Sequence, residues 1–385
     1  MQRRFLLALG TAILVACGGG DAADPSVVRA DSAGVRLITS TGPDKPLGWK
    51  FDTVGVLRDS VGEPWLFTNV STSDVLTDRA GRVYVLEREP AVRRFGRDGK
   101  YERSFGRRGG APGEMQLPFL MRQQGDSIAV LDLARQAIVR WDPEFEPISD
   151  IRLDGAFADV RDFSFRPGGV WLLRQYQADS ATVNSFHLDS GSTSPSFKIS
   201  RPTPRMVQVS CSGGLNFSAP FPPFFSPAIQ FDASGGRVLV NVGPGYDLQL
   251  IEGTRHIARI RRDLVPRAPT VDDVRAQFPD GMKIQFGGSA ACTLDLEALI
   301  ASAGIAEWLP FVTGVALLSD GTMWVKRSGN AKPVVLDVFD SDGSYAGTLT
   351  GHSLPVGRLP TGEVLFPVDD EDSGGVVIAR VQISK

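Results

Sequence analysis

The stretch of this 385-residue chain that most constrains its fold lies between Asp74 and Pro118. It contains three short runs rich in valine, tyrosine and phenylalanine, and residues that favour turns separate the runs. The runs are Val83–Leu86, Ala91–Phe95 and Tyr101–Phe105, and the turns contain Gly81 and Gly99. Runs of this length and composition, joined by tight turns with Asp and Gly, predict antiparallel strands that follow one another as a meander.

The same arrangement recurs along the chain at intervals of about 40 residues, a spacing typical of repeat folds. Further groups of strand-like runs lie at about 117–153, 159–200, 228–261, 311–350 and 353–383. Four short antiparallel strands per repeat are typical of a β-propeller blade, so these groups predict a ring of blades. The last group has only three runs, and pairing Val376–Ile383 with the unassigned segment Trp49–Leu57 would cover an open sheet edge and close the ring. Val35–Thr39 is a candidate for a further edge strand.

Composition supports an all-β domain. The chain has 42 glycines and 26 prolines, and segments with helical periodicity are scarce, as expected for a fold with many tight turns. With 42% hydrophobic and 22% charged residues it can form a core, and its net charge of -3 gives no general attraction to nucleic acid. We therefore predict an all-β, six-bladed β-propeller over residues 35–385. It is built from four-stranded antiparallel blades, closed by an N-terminal strand, and carries a small helical insertion.

The glycine-rich segment Phe105–Pro118, with the sequence FGRRGGAPGEMQLP, resembles the connection between blades in NHL-type repeats. Gly106 and Gly113 fit that pattern, because glycine permits the sharp turn from the outer edge of one blade to the centre of the ring. Residues of about 45–385 resemble the six-bladed, NHL-like propellers of bacterial lipoproteins. The wider six-bladed group includes metal-dependent lactonases, lyases and interaction scaffolds, so the resemblance implies the fold and no single function.

Residues 1–17 have the parts of an export signal. Arg3 and Arg4 provide positive charge, and Phe5–Val15 is an apolar run that is too short to span a bilayer. The ending Leu-Val-Ala-Cys17 resembles the lipobox of bacterial lipoproteins, in which the signal is cut before the cysteine and a diacylglyceryl group is attached to its sulfur. An ordinary secretory signal with an unrelated cysteine is the alternative.

The lipobox resemblance implies a signal peptide over residues 1–16 and a lipidated Cys17 that begins a flexible tether over residues 17–34. A glycine rather than an aspartate follows the cysteine, which resembles the pattern for sorting to the outer membrane. We therefore expect a cell-envelope protein that is held to the membrane by its lipid anchor and faces the periplasm or the cell surface.

Two insertions interrupt the repeats, at about 201–227 and 266–309. Each contains one of the two remaining cysteines, Cys211 and Cys292. Since export places them in an oxidising compartment, the even pair predicts one disulfide, and two buried free thiols are the alternative. The second insertion also predicts a helix that begins after Thr270 and an amphipathic helix that ends at Gly304.

Four phenylalanines alternate with prolines at the end of the first insertion. They are Phe217, Phe221, Phe224 and Phe225. Proline stiffens this segment and disfavours regular strand pairing, so one interpretation is an exposed aromatic patch that binds a partner or an apolar ligand. The alternative is a loop that packs over one mouth of the propeller, against Leu296–Ile300.

Motifs for common chemistry are lacking: the sequence has no G-x-S-x-G elbow, no P-loop and no dinucleotide fingerprint. Gluconolactonase-type propellers hold calcium in the central channel with oxygen ligands. By that resemblance the candidates near the starts of inner strands are Asp74, Asp159 and Asp162, although they do not align with the ligand motifs of those enzymes. The three histidines occupy positions that do not converge, which disfavours a zinc site.

We therefore predict a binding or scaffold module for a protein, peptide or glycan ligand, with no cofactor and no nucleic-acid partner. The alternative is a metal-dependent hydrolase or lyase with calcium at the mouth of the central channel. The second function requires at least three oxygen or nitrogen ligands around one point in the channel.

Overall fold

The computed structural model of this chain describes residues 27–58, 74–87, 90–153, 160–174, 180–200, 204–210, 216–284, 292–328, 333–368 and 375–383. Within these ranges the chain forms 30 strands and two helices, so the protein is all-β as predicted. Three strands precede the first blade: β1 (Val27–Ser32), β2 (Val35–Ser40) and β3 (Trp49–Arg58).

Six blades of four antiparallel strands form the ring: five are separate four-stranded sheets, and the blade IV strands belong to a six-stranded sheet. Blade I contains β4 (Val75–Thr77), β5 (Val83–Glu87), β6 (Ala91–Phe95) and β7 (Tyr101–Phe105). Blade II contains β8 (Pro118–Gln124), β9 (Ser127–Asp132), β10 (Ala137–Trp141) and β11 (Pro147–Arg152). Blade III contains β12 (Val160–Arg166), β13 (Gly169–Arg174), β14 (Ser180–His187) and β15 (Thr193–Ser200).

The first insertion then forms a hairpin of β16 (Arg205–Ser210) and β17 (Asn216–Phe221). Blade IV contains β18 (Gln230–Ser234), β19 (Arg237–Asn241), β20 (Asp247–Glu252) and β21 (Arg255–Arg262). The second insertion contains α1 (Val271–Gln277), β22 (Met282–Ile284), β23 (Cys292–Leu294) and α2 (Leu296–Ala303). Blade V contains β24 (Val312–Leu317), β25 (Met323–Arg327), β26 (Val335–Phe339) and β27 (Tyr345–Thr350). Blade VI contains β28 (Gly357–Arg358), β29 (Val364–Pro367), β30 (Gly375–Ile383) and β3.

The core of the propeller lies between the blades. Six clusters of buried hydrophobic side chains each join two neighbouring blades, and together they run around the whole ring. Leu131 of blade II packs with Phe163 of blade III in one cluster, for example, and Val85 of blade I packs with Val376 of blade VI in another. Each blade therefore buries both of its faces, and none is stable without its neighbours.

The ring closes as the sequence predicted. Strand β3 pairs antiparallel with β30, from Trp49 opposite Ile383 to Arg58 opposite Gly375. The first blade and the last blade then share a buried cluster that includes Leu57 and Ile378. Pairing the two ends of the chain within one blade removes the open sheet edges that an unclosed propeller would expose.

The N-terminal strands extend blade IV, and this corrects the predicted tether. Strand β2 pairs parallel with β21, so Val35–Thr39 does add a strand to the outside of a blade, but β1 pairs antiparallel with β2 and is itself the edge of the sheet. The range assigned to the flexible tether, residues 17–34, therefore includes a strand at Val27–Ser32. Nearly all residues of β1 are exposed, so the strand lacks the apolar alternation by which a sequence reveals strands.

Between β2 and β3 the chain crosses the outer edge of blade V. The backbone N–H of Leu47 donates to the carbonyl of Thr348 (2.8 Å), and the N–H of Thr348 donates to the carbonyl of Lys45 (2.8 Å). Gly347 permits this approach, because it has a φ of +154° and an added Cβ would lie 2.5 Å from the Lys45 carbonyl oxygen. One N-terminal segment thus contacts blades IV, V and VI in succession.

Strand directions assign each loop to one of two faces. Adjacent strands in a blade are antiparallel, so the connections from an outer strand to the next inner strand all lie on one face, here called the connection face. The turns between the first and second strands of the blades lie on the opposite face, here called the turn face. Both insertions are outer-to-inner connections, from blade III to IV and from blade IV to V, so they emerge from the connection face.

The two insertions form one small body, here called the insertion module. Its own hydrophobic core combines side chains of the first insertion, such as Val207 and Phe224, with side chains of the second, such as Leu299 and Ile300. Phe224 also bridges the segments by backbone hydrogen bonds with Gly304 and Ala306 (both 2.9 Å). The end of the first insertion therefore packs against the second insertion.

Candidate binding site at the mouth of the central channel

A cavity of about 780 Å³ opens on the turn face. Every blade contributes the end of its inner strand or the turn that follows it, so the cavity is the mouth of the central channel. The main polar and charged lining residues are Thr77, Asp78, Arg79, Arg122, Gln123, Gln124, Ser164, Arg166, Ser234, Ser319, Asp320 and Arg358. A narrower cavity of about 70 Å³ continues from it towards Val75, Leu317 and Val356 inside the channel.

The turn after the inner strand of blade IV leaves this mouth open. Gly235 and Gly236 both have positive φ, which glycine adopts without strain, and they close the turn between β18 and β19. An added Cβ at either position would have no atom within 4 Å. The turn therefore presents backbone, without side chains, to a ligand in the mouth.

The floor of the mouth is a buried ion cluster. The guanidinium of Arg122 on β8 donates two hydrogen bonds to the carboxylate of Asp162 on β12, at 3.1 and 2.7 Å. It also lies 3.4 Å from the carboxylate of Asp232 on β18. Asp232 in turn accepts a hydrogen bond from the backbone N–H of Leu317 in blade V (2.7 Å). Four blades are thus linked at the centre of the ring.

Burial dominates the protonation of these carboxyl groups. Removal from water raises the pKa of Asp162 to about 6, against the opposing effect of the Arg122 charge and hydrogen bonds. The pKa of Asp232 is also raised by burial, with Arg122 again opposing. Burial disfavours the charged form of Arg122, but the carboxylates of Asp162 and Asp232 outweigh it and raise the pKa of the guanidinium. The floor therefore consists of the Arg122 guanidinium between the carboxyl groups of Asp162 and Asp232, both of which have a pKa above the ordinary value for aspartate.

The rim of the mouth has cations that are not neutralised. Arg358 pairs with Asp320 (2.6 Å), and the carboxylate of Asp78 accepts from Arg82 and from the hydroxyl of Tyr84. Arg79 and Arg166 also line the mouth, and in the described part of the chain neither meets a carboxylate. The rim therefore favours anionic groups.

Among the described residues, Arg166 is held in place by contacts that include no carboxylate. Its guanidinium lies over the ring of Trp171, with its central carbon 5.6 Å from the ring centroid, and donates to the carbonyl of Pro167 (3.1 Å). A second nitrogen lies 3.1 Å from Nδ1 of His187. Its Nε is buried and has no hydrogen-bond partner among the described residues. Burial without a charge partner lowers the pKa of Arg166.

The predicted calcium ligands are not gathered into a metal site by the residues that the structure describes. Asp162 is engaged by Arg122, Asp74 is buried at the start of the blade I inner strand, and Asp159 lies outside the described residues. In the described ranges no group of three or more His, Cys, Asp or Glu side chains is placed to hold a metal ion. Calcium therefore stays an untested prediction.

Sequence reasoning missed Arg122 and Asp232. The available signal was a charged residue inside an otherwise apolar inner strand, FLMRQ in blade II and IQFDA in blade IV. A charge at such a position must be paired when it is buried. Its partners come from blades that are 40 or more residues away, so the sequence alone does not identify them.

The four predicted binding phenylalanines belong to the core of the insertion module. Phe224 is buried, and Phe217, Phe221 and Phe225 are partly buried against the same cluster as Leu299. Phe224 also contacts the ring of Phe278 edge-on, with centroids 6.1 Å apart. The four side chains therefore pack against the Leu296–Ile300 helix and do not form an exposed patch, whereas a role of this segment in binding is not tested.

The predicted disulfide is not tested by the structure. Cys211 lies outside the described residues, and Cys292 begins β23 with a side chain that is not described. The two insertions that carry these residues do share one core.

Comparison with known proteins finds similar folds only among solved structures. No protein-family model and no curated protein matches the sequence. Among solved structures, a "putative exported protein" from Bacteroides fragilis is similar with a TM-score of 0.53 and 11% identity, over 90% of this chain and 99% of that one. A member of the DUF4221 family from Bacteroides vulgatus is similar with a TM-score of 0.52 and 9% identity, over 87% of this chain and 99% of that one. At such identities these similarities concern the fold alone, and the class of protein that fold and site define is a six-bladed β-propeller with an open channel mouth.

Proposed function

We propose that this protein is a lipid-anchored, extracytoplasmic binding module that takes a carboxylate-bearing peptide or glycan into the mouth of its channel. The observation that carries this proposal is the cavity of about 780 Å³ to which all six blades contribute. Its volume is within the range of ordinary ligand sites, and its floor is already stabilised by the Arg122 cluster.

The lining suits a polar chain with negative charge. Arg79 and Arg166 line the mouth and, among the described residues, meet no carboxylate, so the carboxylate of a ligand is the charge partner that these guanidinium groups favour. Ser164, Ser234 and Gln124 offer hydroxyl and amide groups to a peptide backbone or to sugar hydroxyls. Phe165 provides apolar surface beside them.

A binding assay with a matched variant tests the site. Arrays of acidic and neutral peptides and glycans are probed with the detergent-solubilised full chain, and hits are titrated. We expect acidic ligands to bind, and Arg166→Gln to weaken binding about tenfold or more, equivalent to about 1.4 kcal/mol. The control is Arg97→Gln, an exposed residue of blade I that does not line the cavity. Equal affinity of Arg166→Gln and wild type would contradict the proposal, and the two arrays distinguish peptide from glycan.

The calcium-dependent hydrolase or lyase is the alternative function. It requires oxygen ligands that the described residues do not gather, because Arg122 occupies the space between Asp162 and Asp232. Native metal content of the purified chain, measured by mass spectrometry after gentle dialysis, tests it. Stoichiometric calcium would favour the alternative and direct mutagenesis to Asp74, Asp159 and Asp162.

The lipobox-like ending at Cys17 supports export and anchoring. The description of the Bacteroides fragilis protein as exported supports the same compartment. No helix in the described ranges is long and apolar enough to cross a membrane. Incorporation of a labelled fatty acid into wild type and its loss in Cys17→Ser test the anchor.

We also propose that Cys211 and Cys292 form a disulfide that joins the two insertions. Their shared core supports it, because it brings the two insertions together. Thiol alkylation followed by intact-mass measurement should add two further labels only after reduction. Equal labelling with and without reductant would reject the bridge.

A further inference from the structure

We propose that the connection face lies against the membrane to which Cys17 is anchored, and that exposed apolar side chains of the insertion module enter the lipid headgroup region. The channel mouth then points away from the membrane. This inference rests on the proposed lipid anchor, and it adds the surface that meets the bilayer and the direction in which the binding site faces.

The first argument is where the described chain begins. Strand β21 is an outer strand that runs towards the connection face, since the second insertion follows it. Strand β2 runs parallel to β21 and ends with Ser40 opposite Arg262. Val27 of β1 is paired with Ser40, so the N-terminal end of β1 also lies at the connection face.

The second argument is the short reach of the anchor. Nine residues, 18–26, separate Cys17 from Val27. Fully extended, this segment spans at most about 35 Å. If the turn face pointed towards the membrane, residues 18–26 would first have to run back along the edge of blade IV. That path is about 20 Å, the length of a six-residue strand. Placing the connection face towards the bilayer needs no such detour.

The third argument is the distribution of exposed apolar side chains. Met206, Val265 and Trp308 have exposed fractions of 66%, 90% and 45%, and all three lie in the insertion module or its stems. The backbone N–H of Leu309 donates to the carbonyl of Arg267 (2.9 Å), which brings the segments of Trp308 and Val265 together. Tryptophan is typical of side chains at a membrane–water interface.

The remaining exposed apolar residues fit this division. Leu117, 53% exposed, precedes the inner strand of blade II and therefore lies on the connection face. Val28 lies near the connection-face end of β1, and Val54 and Val56 lie on the outer edge of blade VI. On the turn face, Leu188 follows β14 and Tyr101, 37% exposed, begins β7, so these two side chains belong to different blades. The grouping of apolar side chains is thus on the face from which the anchor emerges. Tethering raises the local concentration of that face at the bilayer, so individually weak contacts suffice.

Fluorescence quenching by lipids tests the orientation. The lipidated full chain is reconstituted into phosphatidylethanolamine–phosphatidylglycerol vesicles whose acyl chains are brominated near the headgroup. We expect quenching of tryptophan emission in wild type, and loss of most of that quenching in Trp308→Phe. Trp49→Phe is the matched control, because Trp49 lies at the end of β3 that is nearer the turn face. It should leave quenching unchanged.

A relocated tryptophan provides the decisive comparison. In the double variant Trp308→Phe, Leu188→Trp the exposed indole moves to the turn face, and we expect no lipid quenching of it. Two results with anchored protein would overturn the orientation alone. One is that the Trp308→Phe variant is quenched as strongly as wild type. The other is that the relocated indole is quenched as strongly as Trp308. A chain that carries no lipid at Cys17 and does not bind the vesicles would overturn the anchor and the orientation with it.

Discussion

At the residue scale, a second buried ion cluster fixes blades IV and V to each other. The carboxylate of Asp337 on β26 is fully buried and accepts hydrogen bonds from Arg262 (3.0 Å), the hydroxyl of Tyr246 (2.9 Å) and the hydroxyl of Thr348 (2.8 Å). The side chain of Arg262 is only 1% exposed. Burial, together with the Asp337 charge, raises the pKa of Tyr246 well above its ordinary value. Arg262 also pairs with Asp44 (3.1 Å), whose side chain is 40% exposed, so Asp337 is the buried counter-charge of the cluster.

We predict that Asp337→Asn lowers the free energy of unfolding by about 3–5 kcal/mol, because Arg262 loses a buried counter-charge. Urea unfolding followed by tryptophan fluorescence measures the change. Asp98→Asn is the control: Asp98 lies in an exposed turn of blade I, so its replacement should leave the free energy of unfolding almost unchanged. A loss for Asp337→Asn as small as that of the control would show that Asp337 is not needed to neutralise Arg262.

The floor of the channel mouth predicts a pH dependence with an unusual sign for an aspartate. Burial raises the pKa of Asp162 to about 6 in the folded protein, whereas an unfolded chain has a value of about 3.9. Between these values the folded state keeps a proton that the unfolded state releases. The contribution of Asp162 to stability is therefore fully present below about pH 4 and is lost as the pH rises through about 6.

We predict that the stability of wild type relative to Asp162→Asn falls as the pH rises from about 4 to about 6.5, and is constant above that. Asparagine cannot titrate, so the comparison isolates this carboxyl group from other ionisations. Urea unfolding of both proteins across this range gives the difference. A difference that grows with pH would mean that the Arg122 ion pair, and not burial, controls the protonation of Asp162.

At the element scale, the start of α1 shows how the insertion module keeps its shape. Thr270 accepts a hydrogen bond from the backbone N–H of Asp273, and Asp273 accepts one from the N–H of Thr270. Arg267 adds two hydrogen bonds to the same carboxylate, both 2.8 Å. The reciprocal arrangement is a capping box, and it satisfies donors that a helix of seven residues would otherwise leave free.

We predict that Thr270→Ala destabilises the insertion module by about 1 kcal/mol, the usual cost of losing an N-cap. Hydrogen exchange of the module amides should quicken accordingly, while amides of blades I and II are unchanged. Asp272→Asn is the matched control, since Asp272 lies in the same first turn but is solvent-exposed and only pairs with Arg275. Equal effects of the two substitutions would contradict a specific role of the cap.

Elements with a clear apolar pattern were predictable from the sequence, and those held by distant partners were not. The strands of blade I were predicted at Val83–Leu86, Ala91–Phe95 and Tyr101–Phe105, and β5, β6 and β7 occupy almost the same residues. Their valine, tyrosine and phenylalanine residues and the turns with Asp and Gly that separate them are local signals. Strand β1 was missed because it is held by backbone pairing on an exposed edge, and that pairing requires only that β2 be present beside it.

The site was less predictable than the fold for the same reason. Asp162 was identified as a channel residue from its place near the start of an inner strand, but its chemistry depends on Arg122, which is 40 positions away. The sequence contains no signal that Arg166 is a candidate binding residue. The structure provides it, because Arg166 lines the mouth and contacts no carboxylate among the described residues. The alternation of side chains along a strand predicts which residues share one face of that strand. Which residues of different blades contact one another depends on how the blades are arranged in the ring.

At the scale of the whole molecule, the N-terminal segment both closes the ring and connects it to the proposed anchor. It pairs with blade IV through β2, crosses blade V near Thr348 and completes blade VI through β3. The chain therefore contacts the edge of blade IV first. The β2–β21 pairing and the contact near Thr348 both come before the closing strand β3 in the chain.

This order of contacts predicts a graded response to truncation. A chain that begins at residue 27 should be monomeric and as stable as the mature protein. One that begins at residue 48 keeps β3 but loses β1, β2 and the ion pairs of Asp44 with Arg262 and Arg327, so it should stay folded with a lower melting temperature. One that begins at residue 59 exposes the edge of β30 and should aggregate. Size-exclusion chromatography and thermal unfolding of the three chains measure this series, and a soluble, cooperatively unfolding monomer from residue 59 would show that the propeller does not need its N-terminal strand.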